Sequence, residues 1–179
     1  MTSRDCLAAP LTLDRVYGTR PDLLPRSMVR VVRADQPWDR LLSWVGRPGV
    51  ELLDLDRHLR TERASLDRYP RDTDGTIEWA AVPPGLVLRT ADSESVDLGV
   101  VVEHDMPAAR SVILLWASPA IPSVELAVGS AAPRFVDIVE RAAEFWVYSP
   151  VDQVVVEYSF SGVVTAARLP PGADGPAAG

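Results

Sequence analysis

The chain has 179 residues, 47% of them apolar, and a formal net charge of −7, which favours one domain with a core of useful size. All eighteen basic residues are arginine, a usage that GC-rich bacterial codons favour, so this chain carries no Schiff-base, P-loop or kinase lysine. Residues 1–72 carry +2 and residues 73–179 carry −9; an acidic second half argues against nucleic acid, whose phosphates need clustered cations, and leaves room for a basic partner.

Residues 1–10 lack the apolar stretch of a secretion signal and are expected to be disordered. Cys6 is the single cysteine, so no disulfide framework forms within the chain and the cytoplasm is the expected compartment. One domain is expected over residues 11–169, beginning with a short edge strand at 11–17 and a strand at 27–33. Asp35 and Pro37 then open a predicted helix over 37–45, with Trp38, Leu41, Leu42 and Val45 on one stripe and Gly46 as its cap. Gly46-Arg47-Pro48-Gly49 is read as a turn; a Gly-x-x-Gly spacing also occurs in RNA-clamping loops, but Pro48 removes an amide and the chain is acidic. Residues 50–55 are a short strand or the start of the next helix, predicted over 56–69 and ended by Pro70.

From Thr76 the pattern alternates with period two. Strands are predicted at 76–82, 86–90, 95–102, 111–117 and 124–128, separated by Pro- and Gly-bearing turns, in antiparallel meander order. Residues Val112 to Trp116 do not alternate, which marks a central strand covered on both faces. Phe135, Ile138, Val139, Ala142, Phe145 and Trp146 then recur at helical spacing and predict one amphipathic helix over 133–148, stopped at Ser149-Pro150. A hairpin follows, with strands at 153–159 and 163–169 turning at Gly162. Residues 170–179, rich in Pro, Gly and Ala, are expected to be disordered. The expected fold is α+β: an antiparallel sheet of five to seven strands, packed by the C-terminal helix, with a small helical N-terminal part. The longest apolar run is far too short to span a bilayer, so no membrane partner is expected.

Candidate chemistry is sparse. His58 follows Asp54 and Asp56 at alternate positions, and His104 lies between Glu103 and Asp105; were the segments to meet, two histidines and a carboxylate could ligate a metal, yet the spacing matches no metal motif, and neither metal nor cofactor is expected. Glu140 with Glu144, and Asp152 with Glu157, are the paired carboxylates; acid–base work would need one of them desolvated, and solvated positions are expected instead. No Gly-x-Ser-x-Gly elbow is present. The leading reading is therefore a non-catalytic protein-binding module, in its concrete form an acidic inhibitor or immunity-type protein that masks a basic partner with Asp137, Glu140 and Glu144. A small-ligand-binding or chaperone-like domain is the first alternative, and an enzyme with an unrecognised site the second. An apolar pocket would favour the first alternative, and shifted ionisable groups converging in a cleft the second.

Overall fold

The computed structural model describes residues 12–33, 42–73, 75–130 and 132–171. The expected disordered N-terminus with Cys6, residues 172–179 of the expected disordered C-terminus, and residues 37–41 of the predicted helix at 37–45, Trp38 included, lie outside the described residues.

Among the described residues there are seven strands in one antiparallel sheet and two in another. The small sheet pairs β1 (Val29–Arg33) with β2 (Leu42–Gly46). The large one has the order β3-β6-β5-β7-β8-β9-β4: β3 is Val50–Leu52, β4 Val87–Asp92, β5 Ser111–Trp116, β6 Val124–Ala127, β7 Phe145–Ser149, β8 Val154–Tyr158 and β9 Val163–Arg168. Four helices accompany them: α1 (Leu13–Val16), α2 (Leu55–Ala64), α3 (Leu98–Asp105) and α4 (Ala132–Val139).

The middle of the large sheet is buried on both faces, and the period-two rule sorts its side chains into two cores. Val112, Leu114, Phe145, Val147, Val156 and Ala166 point to one face, where Val101 and Val102 of α3 and Phe135 and Ile138 of α4 join the same buried cluster. Ile113, Leu115, Trp146, Tyr148, Val155 and Ala167 point to the other, where they meet Leu53, Leu66, Tyr69, Ile77 and Val82 from the segment between β3 and β4. Strand β5 sits between β6 and β7, as the non-alternating run at 112–116 predicts. Gly162 turns the β8–β9 hairpin at φ 78°, a backbone region glycine enters without strain.

Five expectations are corrected. The predicted helix at 133–148 is only half as long: α4 ends at Val139, and Phe145, Trp146 and Tyr148 belong to β7. Aromatic and β-branched residues favour strand, and hydrogen bonding on both sides, to β5 and β8, outweighs a helical spacing that happens to continue through Ala142. Residues 98–105 form a helix, not a strand, because the Asp97 carboxylate accepts the amide of Gly99 at 2.8 Å and caps the turn despite three valines. Leu42 to Val45 are strand, not helix: β1 supplies a partner from Val29 to Arg33. Residues 76–82 make only one bridge, Ile77 to Arg71, and then a 3₁₀ turn at Trp79–Ala81. The N-terminal segment also differs, being one helical turn (α1) where an edge strand is expected.

Gly46 and Gly49 explain the turn between the two sheets. A Cβ on Gly46 would lie 2.0 Å from the Val50 carbonyl oxygen, and Gly49 adopts φ 73°. Both glycines are required by chain geometry alone.

Candidate partner-binding groove and a polar cleft

Helices α3 and α4 lie side by side. Each turns its larger apolar residues toward the sheet, Leu98, Val101 and Val102 from α3 and Phe135 and Ile138 from α4. The short approach to α3 does not close over α4, and a groove of about 400 Å³ remains between them. Val96, Phe135, Val136 and Val139 give it apolar walls, and Val136 is 64% exposed. The charged residues lining it are Glu94, Asp97 and Glu140, all acidic. Asp97 is tied to the α3 cap, whereas Glu94 and Glu140 are exposed and have no ion pair among the described residues.

The three acids singled out from the sequence do not share one face. Glu140 lines this groove. The Asp137 carboxylate does not line the groove; it accepts the Ser27 hydroxyl at 2.6 Å and lies 3.5 Å from the Arg141 guanidinium. Glu144 precedes β7 and lines a separate depression with Leu24, Trp116 and Phe160. Glu94 and Asp97 are not legible as site residues from the sequence, because their neighbourhood depends on α3, which the valine run makes look like strand.

A second concavity, of about 430 Å³, lies beside α2 and is lined by His58, Glu62, Asp67, Arg71, Trp116 and Trp146 among others. The Asp54 carboxylate caps α2 by accepting the Arg57 amide at 2.8 Å, and one turn on His58 faces inward. His58 Nδ1 is 2.9 Å from Ser123 Oγ, its Nε2 is 3.3 Å from Glu62 Oε2, and the Tyr17 ring stacks on it at 4.6 Å. Burial lowers the His58 pKa. Burial raises that of Glu62; Asp67 adds to this and Arg71 opposes it.

Serine, histidine and glutamate in a row resemble the order of a nucleophilic triad, but the geometry points elsewhere. Ser123 is buried and does not line the cleft, so its hydroxyl has no approach to a molecule bound there. The Tyr17 hydroxyl donates to the Leu53 carbonyl and accepts the Ser123 amide, both at 3.0 Å. The cluster thus ties the N-terminal segment to the ends of β3 and β6.

Behind the cleft wall sits an acid that the sequence places in a solvated position and the structure buries. Glu157 is 4% exposed, on the β8 face that meets the second core. Its carboxylate accepts the indole N–H of Trp146 at 2.9 Å and that of Trp79. Burial raises its pKa, against the two N–H bonds that favour the ionised form. Asp152 is engaged separately, accepting the Ser149 hydroxyl at 2.6 Å and the Ala108 amide at 3.0 Å.

His58 and His104 do not share partners. His104, on α3, lies 2.7 Å from Asp105, which pairs with Arg89 at 2.8 Å. Asp54 is a cap and Asp56 is exposed. Among the described residues no group of three or more His, Cys, Asp or Glu is arranged to hold a metal ion, and no helix is long and apolar enough to cross a membrane. Compared with protein-family models and with curated proteins, the chain matches none.

Proposed function

We propose that the chain is a non-catalytic protein-binding module that takes a basic partner through the α3–α4 groove, in the manner of an acidic inhibitor or immunity-type protein. The observation that carries this reading is an apolar groove whose charged rim is acidic throughout, at Glu94, Asp97 and Glu140. Apolar walls supply the area that binding desolvates, and an acid-only rim selects for cationic segments and rejects acidic ones. The −9 carried by residues 73–179 extends the same field beyond the groove and steers a basic partner toward it.

The test uses a capped peptide of alternating arginine and valine and its glutamate–valine counterpart. The basic peptide is expected to bind, more weakly at about 150 mM than at about 10 mM salt, as the Debye length shrinks from about 30 to about 8 Å. Glu94→Arg with Glu140→Arg should abolish binding while leaving stability nearly unchanged, since both residues are exposed. Equal binding of both peptides, or binding that survives the double substitution, would overturn the reading.

A small-ligand-binding domain is the second reading. The cleft beside His58, with Trp116 and Trp146 in its lining, favours it. It predicts that a ligand raising the melting temperature loses its effect in Glu62→Gln and keeps it in Glu140→Arg.

A further inference from the structure

The β1–β2 ribbon is the other region that is apolar and unpartnered. Val31 (47% exposed), Val32 (42%), Leu42 (55%) and Val45 (37%) stand open to solvent on a two-stranded sheet that pairs with no further strand among the described residues. Within its two strands the charged residues are Arg30 and Arg33, both exposed and without an ion pair among the described residues. Register puts one arginine on each face: Arg30 opposite Val45, with Val32 beside it, and Arg33 opposite Leu42, with Val31 beside it. Each face is therefore apolar with one cation, the chemical complement of an apolar groove rimmed by Glu94 and Glu140.

We infer that the ribbon of one copy docks in the α3–α4 groove of a second copy, so that the chain forms a salt-sensitive dimer. This rests on the reading of the groove as a site for cationic apolar segments, and it identifies one such segment in the chain itself. The occupant is a second copy because of where the ribbon is anchored. Its base is fixed to α4 by the Ser27–Asp137 hydrogen bond at 2.6 Å, and Arg134 donates to the Pro48 carbonyl at 3.2 Å. On a helix of 3.6 residues per turn, Arg134 lies about 120–160° around the helix from Val136, Val139 and Glu140, whereas Asp137 lies about 60° from Glu140. Anchored in this way, the ribbon contributes no described residue to the lining of its own groove, and the groove it meets belongs to another molecule. Reciprocal docking about a twofold axis gives two such contacts per dimer, the closed arrangement that self-complementary surfaces favour. A dimer of this kind covers the groove, so a basic partner has to displace the ribbon, and free chain and partner complex exclude each other.

Charge exchange tests this. Arg30→Glu with Arg33→Glu makes ribbon and groove both acidic; Glu94→Arg with Glu140→Arg makes both basic. Sedimentation velocity of the unaltered chain at about 10 mM salt should show a dimer that weakens about tenfold or more at about 150 mM. Each double variant alone should be monomeric, and an equimolar mixture should form a heterodimer, because both of its contacts regain opposite charges. An unaltered chain that stays monomeric at low salt overturns the inference, as does a dimer that persists in the Arg30→Glu, Arg33→Glu variant. Hydrogen exchange on the unaltered protein gives a readout independent of variant folding. Amides at 29–33 and 136–140 should slow together as protein concentration rises, and concentration-independent exchange overturns the inference. Failure of the groove reading is separable: the arginine–valine peptide should still bind the Arg30→Glu, Arg33→Glu variant, whose groove is intact, whatever the oligomeric state.

Discussion

Strands β7 and β1 are both five residues long, carry aromatic or β-branched strand formers, and end in opposite surroundings. All five residues of β7, Phe-Trp-Val-Tyr-Ser, are buried; of β1, Val-Arg-Val-Val-Arg, only Val29 is. Strand β7 has a hydrogen-bonded neighbour on each side and an apolar layer on each face. Strand β1 has one neighbour, β2, and packs on the body only near its base, where Val29 and Trp44 join the core cluster. Strand-forming residues secure a strand in either place, and the number of neighbours decides whether those residues hold the fold together or are left for something else to cover.

The largest expected effect breaks the core side of that comparison. Phe145 is fully buried, stacks on Tyr158 at 5.1 Å and tilts against Trp116 at 6.0 Å. Phe145→Ala should cost about 3–5 kcal/mol by chemical denaturation, the range for truncating a buried aromatic residue. A cost under about 1 kcal/mol would mean that β7 is not the central strand.

Next in size is Glu157, the polar exception in the second core. In Glu157→Gln one indole N–H faces an amide NH₂ group, and the lost bond should cost about 1–3 kcal/mol near pH 5. The sign of the pH dependence follows from burial, which raises the folded-state pKa above its ordinary 4.5. Between the two pKa values the folded state holds the proton that the unfolded state has released, so wild-type stability falls as pH rises through that window. The glutamine variant lacks this fall, and the gap between the two proteins should narrow from pH 5 upward. A gap that widened with pH would mean that the two indole N–H bonds outweigh burial.

The same contrast explains what the sequence could and could not reveal. Short apolar, β-branched runs bounded by turn residues mark β5, β6, β8 and β9, because strand-forming composition and turn chemistry are local. Phe145 to Tyr148 look helical in the sequence because 135, 138, 139, 142, 145 and 146 satisfy a helical period; the pairing with β5 that settles the matter comes from 29 or more residues away. Val100 to Val102 look like strand because they are a β-branched run, yet they are helix because the Asp97 cap, a single side-chain acceptor, outweighs it. The groove was legible only at Glu140, since its other wall needs α3. Glu157 gave no sign of burial, because a lone acid in a valine strand looks solvent-facing until Trp79 and Trp146 are placed over it.

The smallest expected effect lies on the ribbon. If Val31 and Leu42 serve docking rather than folding, making them polar should leave the isolated chain almost as stable as before. Val31→Thr keeps a β-branched residue in the strand, and Leu42→Gln keeps side-chain length; both positions are about half exposed, so little buried apolar area is lost. At about 150 mM salt the double variant should unfold within about 0.5 kcal/mol of wild type, against the several kcal/mol expected at Phe145. At low salt and high protein concentration the difference should grow, because wild type then gains stability from association and the variant does not. A loss comparable with Phe145→Ala under both conditions would show that the ribbon packs on its own body, and the two regions would then differ in degree only.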